Sequence, residues 1–288
     1  MAKGTGEAGE NPLVPNAKLR RMYTTMLEAR TLEEAVSKRV RVAKKRTKIV
    51  SITGQEAVRV STTIELGGED LVSDVAPSAA MALILGGHAT SLLDDFSRTN
   101  GKKTKADGTN RLLPTIEDTE ERLRVAVGAA AALKTQKKSG VVVAYARKGE
   151  ATTSVWKRVL GVAAKLELPV IFVVLPKTGA AKKGDDLAEV CGAARAAGVP
   201  SFPVDACDAV ALYRVAQESL GRTRGGDGPV LVECVGWRVE GKRLTPDDPL
   251  EHLKAFLLAR KIAIPAWFQQ AERAARKQLL RKRRLSKS

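Results

Sequence analysis

The sequence is poor in the residues that build metal centres and disulfide frameworks. In 288 residues there are two histidines, His88 and His252, and three cysteines, Cys191, Cys207 and Cys234. The cysteines have no short spacing and the histidines lie far apart, whereas zinc sites and disulfide-rich domains depend on such spacings. The sequence therefore predicts neither a metal cluster nor a disulfide-stabilised fold.

Long apolar runs are also absent. The longest ones, residues 125–133 and 170–175, are much shorter than the roughly 20 residues that a membrane-spanning helix needs. Residues 1–16 are rich in Gly, Glu and Pro and lack the apolar core of a signal peptide. We expect a flexible N-terminal tail at residues 1–16, no membrane association and a cytoplasmic location.

Acidic residues are outnumbered by basic ones, 32 to 49, which gives a formal net charge of +17. Residues 38–48 carry seven basic residues and no acidic one, and residues 271–288 carry eight basic residues and one acidic one. The rest of the chain is nearly neutral. Such stretches bind nucleic-acid phosphates, contact an acidic partner or form solvated faces, and the sequence leaves these alternatives open. With 4% aromatic residues and no recognition motif, any nucleic-acid binding would be nonspecific.

A regular alternation of helices and strands begins near residue 116. Strands alternating with helices of 10 to 15 residues indicate right-handed crossovers, and continuously apolar strands indicate helices on both faces of a sheet. The sequence predicts an α/β fold, a doubly wound and mostly parallel sheet, within residues 17–260, followed by a basic C-terminal helix or tail at residues 261–288. The predicted strands are 141–145, 169–174, 202–204 and 230–235, and the helices between them are 118–134, 152–166, 187–197 and 209–220. Upstream we expect helices at 19–45, 55–66 and 77–86, then an exposed loop over 97–114.

Two lysines follow neighbouring strands of this predicted sheet. Lys148 lies in the turn after the first strand, and Lys177 lies in the turn after the second. The crevice beyond the carboxyl ends of parallel strands is where such sheets bind ligands. A helix that begins near Thr152 would direct its free N–H groups to the same place. These features favour an anion site, although lysines after strands are also common as solvated loop residues.

Four segments, in this order and spacing, resemble the alpha subunit of thiamine-diphosphate-dependent 2-oxoacid dehydrogenases. They are residues 19–57, 127–134, 163–174 and 228–235, the last followed by Trp237-Arg238. The resemblance implies the thiamine-diphosphate-binding fold and a reaction in which a 2-oxoacid is oxidatively decarboxylated and its acyl group passes to lipoyl. It also implies an α2β2 assembly with a beta-type subunit.

The cofactor motif of that family is altered here. The family carries Gly-Asp-Gly after one strand and an Asn-Asn pair after the next, and this chain has Arg147-Lys148-Gly149 and Pro176-Lys177 there. Of the cofactor-equivalent residues Lys148, Gly149 and Lys177, only Gly149 matches. Mg²⁺ requires oxygen ligands, and a lysine about 4 Å from it would cost about 8 kcal/mol at an effective dielectric of about 20. The resemblance implies thiamine diphosphate as cofactor, whereas these residues predict that Mg²⁺ does not bind.

The family's remaining catalytic groups are also replaced. Its diphosphate-binding Tyr-Arg and the His that follows align near Ala76-Pro77 and Ala79, its Gly-His-Ser aligns with Gly241-Lys242-Arg243, and its Gln and Pro align with Arg122 and Arg124. No residue is therefore assigned a catalytic role.

We accordingly predict a degenerate homologue that acts as a non-catalytic assembly or regulatory subunit, either as a homo-oligomer or with a beta-type dehydrogenase subunit. The first alternative is an active subunit that holds a diphosphate through lysines instead of Mg²⁺. The second is a nonspecific nucleic-acid-binding protein.

Overall fold

The chain folds around one parallel β-sheet with helices on both of its faces. A computed structural model describes residues 11, 14–42, 52–76, 78–97, 110–176, 189–236 and 248–280. In these residues the strands lie in the order β1-β2-β3-β5-β4, and every pair is parallel. The strands are β1 (Leu71–Ser73), β2 (Val142–Arg147), β3 (Val170–Leu175), β4 (Ser201–Asp205) and β5 (Val230–Val235).

Ten α-helices accompany the sheet within the same described residues. Four precede β2 in the N-terminal half, a fifth leads into it, three connect the remaining strands, and two follow β5. They are α1 (Asn16–Val42), α2 (Glu56–Thr63), α3 (Ala79–Ile84), α4 (Ala89–Ser97), α5 (Thr119–Thr135), α6 (Thr153–Lys165), α7 (Glu189–Ala196), α8 (Ala209–Arg224), α9 (Pro249–Ala259) and α10 (Pro265–Gln278).

Alternate residues of β2 face two different apolar clusters. Val142 and Ala144 pack with residues of α5, α6 and α7 on one face. Val143 and Tyr145 pack with residues of α1, α2 and α8 on the other. Because both faces are covered, every residue from Val142 to Ala146 is buried. This confirms the predicted α/β class and its doubly wound, parallel sheet.

The register of β2 and β3 determines where the predicted site lies. Val142 pairs with Val170 and Arg147 pairs with Leu175, so the two strands end at the same level. The turn that follows β2 and the start of the segment that follows β3 are therefore neighbours at the carboxyl edge of the sheet.

The predicted exposed loop over 97–114 is wrong at its last residues and misses neighbouring structure. Val72 of β1 donates its N–H to the Arg111 carbonyl and accepts from the N–H of Leu113, each at 2.8 Å. Residues 111–113 thus lie along β1 and are half-buried. Neither β1 nor α4 was predicted, because a three-residue strand is too short to show a periodic pattern. Residues 98–109 lie outside the described part of the chain.

The structure describes part of each segment that was predicted to flank the α/β region. Val14 is fully buried, and α1 begins at Asn16, so the tail predicted for residues 1–16 does not include these residues. Residues 1–10, 12 and 13 lie outside the description. At the other end, α10 packs on α1, with the Tyr23 ring centroid 5.0 Å from that of Phe268. Its described part is a folded helix against the body of the chain.

Membrane insertion finds no support in the described helices. None of them combines the length and the apolar character that a bilayer-spanning helix requires.

Candidate functional site

The turn after β2 contains the two predicted site residues that the structure describes. Lys148 donates its backbone N–H to the Leu175 carbonyl at 2.9 Å, which attaches this turn to the end of β3. Gly149 has a φ of +83°, in the left-handed region that favours glycine. The sequence therefore located both residues correctly at the carboxyl edge of the sheet. Lys177 lies outside the described residues.

Lys148 is not the solvated loop lysine that was one interpretation of the sequence. Its relative exposure is 6%, so most of its side chain is covered by protein. A buried lysine needs polar neighbours to compensate for the loss of water, and it offers an ammonium group rather than an oxygen ligand. Lys148, which was predicted to align with the family's metal-binding aspartate, thus places a nitrogen donor inside the protein.

Helix α6 starts directly beyond this turn. The Thr152 side chain caps it by accepting the N–H of Val155 at 3.4 Å. The helix spans 13 residues, so its N-terminal end contributes a partial positive charge to the site. This confirms the predicted helix start near Thr152.

Glu150 provides a carboxylate in the same turn. Its carboxylate accepts a hydrogen bond from Arg147 Nη1 at 2.8 Å and another from the Arg147 backbone N–H at 3.2 Å. It also accepts hydrogen bonds from Arg122 Nη2 and from the Thr119 hydroxyl, each at 3.3 Å. Partial burial raises the pKa of Glu150, but the hydrogen bonds and charges of Arg147 and Arg122 outweigh burial and leave that pKa below its usual value.

Arg122 supplies a buried cation from α5. Its side chain is 2% exposed, and its Nη1 donates to the Ile116 carbonyl at 2.9 Å. Burial lowers the pKa of Arg122, and Glu150 partly offsets this effect. The Arg122 Nε has no hydrogen-bond partner among the described residues. Arg122, which was predicted to align with the family's glutamine, therefore belongs to an ion-pair cluster at the carboxyl edge of the sheet.

A second polar cluster lies at the end of β1. Asp74 follows β1, and both of its carboxylate oxygens are 2.7 Å from Arg59 Nη1. The Arg59 guanidinium lies 5.0 Å from the Tyr145 ring centroid, and the ion pair is almost completely buried, with exposures of 1% and 6%. Sequence reasoning missed this pair. The available signal was a single arginine, Arg59, within the predicted helix 55–66, and the structure shows that all eight residues of α2 are buried.

Glu33 of α1 reaches the same region. It accepts the Ser78 hydroxyl at 2.8 Å and the Ala80 N–H at 3.2 Å. Burial raises the pKa of Glu33, while these two hydrogen bonds oppose the rise. Ala76, which was predicted to align near the family's diphosphate-binding tyrosine, has no polar side-chain atom. Pro77 lies outside the described residues.

A third buried carboxylate has a structural role. Glu233 of β5 is fully buried and accepts the Cys191 N–H at 2.8 Å, near the start of α7. Burial and then the charge of Glu233 raise the pKa of the Cys191 thiol to about 11. Such a thiol is protonated and unreactive at neutral pH.

The arginines of these clusters are paired with carboxylates, and the buried Glu33 and Glu233 accept hydrogen bonds. A hard divalent cation prefers several oxygen ligands, and the carboxylate closest in sequence to Lys148, Glu150, is already neutralised by Arg147 and Arg122. Among the described residues there is no group of three or more His, Cys, Asp and Glu side chains that could hold a metal ion. The described site presents cations and a paired carboxylate at its centre.

The fold and this crevice define an α/β protein of the thiamine-diphosphate-binding type. The dehydrogenase E1 component family matches residues 23–255, which is most of the sequence. The chain belongs to this family.

Three relatives illustrate the likeness. The pyruvate dehydrogenase E1 component subunit alpha of Staphylococcus aureus is 28% identical over 206 residues, which cover 69% of this chain and 55% of the relative. For the chloroplastic subunit alpha-3 of Arabidopsis thaliana the identity is 27%, covering 88% of this chain and 67% of the relative. For the subunit alpha of Acholeplasma laidlawii it is 25%, covering 83% and 69%. The match to the Staphylococcus aureus protein thus spans little more than half the length of that relative.

The buried pair of Arg59 and Asp74 yields a stability prediction. We expect Asp74→Asn to lower the free energy of unfolding by about 3–5 kcal/mol, because it leaves the Arg59 cation buried without its anion. Chemical denaturation followed by circular dichroism measures the change. The control is Asp94→Asn, whose partner Arg39 is half-exposed, and which should cost less than about 1 kcal/mol. Equal effects of the two substitutions would contradict this account of the buried pair.

Proposed function

We propose that this chain is an alpha-type subunit of a dehydrogenase E1-like assembly that has kept the fold and lost the chemistry. It assembles with a beta-type subunit, or with further copies of itself, in the cytoplasm. It does not decarboxylate a 2-oxoacid and does not bind Mg²⁺ together with thiamine diphosphate.

The observation that carries this proposal is the burial of Lys148 in the turn after β2. A magnesium ion in this turn would meet an ammonium group where the family has a carboxylate. Like charges in a poorly hydrated site repel strongly, and the ammonium supplies no lone pair for coordination. The residues present therefore do not fit a magnesium-bound diphosphate.

The ion pairs of Glu150 also argue against a bound diphosphate, because Glu150 is an anion that already occupies the nearby arginines. A diphosphate needs cations and N–H groups that are free to bind it, and here Arg122 and Arg147 already bind the Glu150 carboxylate. Glu150 would also repel a phosphate placed beside it. The alternative in which lysines replace the metal would have to overcome this built-in anion.

A surface groove supports the role in assembly. It has a volume of about 280 Å³, lies between α5 and α6, and is lined by Arg124, Val127, Arg158, Val159 and Val162. Val162 is 48% exposed, and Leu166, just beyond the end of the same helix, is 50% exposed. Aliphatic side chains gathered on one helix face are typical of subunit contacts. The relatives named as alpha subunits belong by name to multi-subunit components, so we assign the groove to a beta-type subunit.

Calorimetry tests the loss of the cofactor site. We expect no binding of thiamine diphosphate in the presence of Mg²⁺, either to the chain alone or to its complex with a beta-type subunit. In addition, Glu150→Gln should strengthen pyrophosphate binding about fivefold, the factor that corresponds to about 1 kcal/mol for a partly exposed ion pair. Removing the carboxylate releases Arg122 and Arg147 to bind the added anion.

Glu120→Gln provides the matched control for that substitution. Glu120 also pairs with two arginines, Arg124 and Arg158, but on the surface of α5 and α6. Its replacement should leave pyrophosphate binding unchanged. Micromolar, metal-dependent binding of thiamine diphosphate to the unaltered protein would refute the proposal, and equal responses of the two variants would refute the part assigned to Glu150.

Assembly is tested separately at the groove. Coexpression with a beta-type E1 subunit from the same organism should give a heteromer in size-exclusion chromatography with light scattering. Val162→Glu should abolish it by placing a charge in the apolar contact. Ile264→Glu, at another exposed aliphatic position (64% exposed), should leave assembly intact. A Val162→Glu variant that assembles normally would exclude this groove as the contact.

A further inference from the structure

The α5–α6 groove lies between two helices that run side by side in the same direction. Near their starts, Glu120 of α5 accepts a hydrogen bond from Arg158 Nη2 of α6 at 2.6 Å. Near their ends, Lys134 Nζ of α5 donates to the carbonyl of Leu166, directly after α6, at 2.8 Å. From Glu120 to Lys134, α5 rises about 21 Å at 1.5 Å per residue. The surface between two parallel helices of this length accepts a third helix, whose side chains fill the groove.

Each of the two helices has a glycine in its interior beside the groove. Gly128 of α5 lies four residues after Arg124, and Gly161 of α6 lies three residues after Arg158. These spacings make residues neighbours on one face of a helix, and both arginines line the groove. The two glycines therefore lie beside the groove, one on each helix.

The chain itself does not need a glycine at either position. A methyl group at Gly128 or Gly161 would meet nothing within 4 Å beyond its own stretch of helix. Glycine in a helix interior lowers helix stability relative to alanine. What a missing side chain provides is room for the close approach of another backbone. No described part of this chain makes that approach, so the open space is available to another chain.

The two lining arginines share one carboxylate. Arg124 Nη2 and Arg158 Nη2 both donate to Oε1 of Glu120, and the two arginine side chains are 64% and 60% exposed. One anion does not balance two cations, so one positive charge is left at the rim of the groove. That charge costs little while water surrounds it, but a subunit that covers the rim removes the water. A partner therefore has to bring a carboxylate to this end of the groove.

A second copy of this chain does not supply that carboxylate in a symmetric contact. Two grooves that face each other across a twofold axis bring the same residues together. Both copies of Arg124 and Arg158 would then meet, and the Glu120 carboxylate of each copy is already shared by its own two arginines. The charges of the groove therefore favour a different chain over self-association.

We propose that the groove binds one α-helix of the partner subunit, an inference that rests on the proposed role of the chain in assembly. The helix lies along the groove, packs small or aliphatic side chains on its valines, and brings its backbone close to Gly128 and Gly161. One Asp or Glu of the same helix binds the arginine pair, Arg124 and Arg158. The occupant is therefore an amphipathic helix with an acidic residue near one end of its apolar stripe.

Replacing both glycines by alanine separates the needs of the partner from the stability of the chain. Gly128→Ala with Gly161→Ala should raise the thermal unfolding midpoint of the chain alone, because alanine favours a helix and the space is open. The same pair should weaken binding of a beta-type E1 subunit from the same organism about tenfold, because two added methyl groups overpack a close contact. Circular dichroism gives the midpoint, and biolayer interferometry with the purified subunits gives the affinity.

The matched control is Gly192→Ala with Gly221→Ala. These two glycines also lie within helices, α7 and α8, and also have open space around them, but neither belongs to α5 or α6. The control should raise the midpoint in the same way and leave the affinity for the beta-type subunit unchanged.

Arg124→Gln with Arg158→Gln tests the carboxylate of the partner helix. This pair should weaken binding of the beta-type subunit about tenfold and reduce the dependence of the affinity on salt, since a screened ion pair is lost. Arg214→Gln with Arg222→Gln removes the same charge from exposed positions of α8, which packs on the other face of the sheet. It should change neither quantity.

Three outcomes would contradict the proposed helix contact. If the unaltered chain binds the beta-type subunit, and either the glycine or the arginine variant binds it as tightly, the chain is an assembly subunit but its groove does not hold such a helix. If the unaltered chain binds no beta-type subunit, the assembly role and the helix contact are both wrong. If the chain alone self-associates and the glycine variant does not, the occupant is a second copy.

Discussion

The carboxylate of Glu150 connects three parts of the carboxyl edge of the sheet. It binds Arg147 at the end of β2, Arg122 within α5, and Thr119 at the start of α5. These contacts join a single carboxylate to two arginines at the carboxyl edge of the sheet. Lys148, which lies between Arg147 and Glu150 in the sequence, is buried. Under the proposed function, this lysine stands where the family binds its metal.

The residues that hold the fold together are different from the residues at the crevice. The parallel sheet depends on apolar strands and on the register that aligns β2 with β3, and neither requires the cofactor. Under the proposed function, the family's fold therefore persists although its metal ligands are replaced. We propose that the α5–α6 groove carries the contact with a partner subunit.

Much of the fold could be predicted from the sequence. The strands β2, β3 and β5 are long, apolar and bounded by turns, so their limits were predicted to within about two residues, well inside ordinary boundary error. By contrast, β1 is held by its neighbours β2 and Leu112, and three residues carry no period of their own. Packing of α10 on α1 was also not predicted, since its basic composition conceals the two aromatic residues that contact Tyr23.

The candidate site was predictable in position but not in its contacts. Lys148 and Gly149 follow a clear strand, so the sequence located them at the carboxyl edge. Glu150 and Arg122 are 28 residues apart, and only the arrangement of α5 beside β2 brings them together.

The proposed loss of the cofactor site is tested most directly by the thiamine diphosphate and magnesium content of the protein isolated from its own cells in its native complex. The account predicts far less than one molecule of thiamine diphosphate per chain of this protein. A stoichiometric amount of thiamine diphosphate that is lost in a Lys148→Ala variant would contradict it.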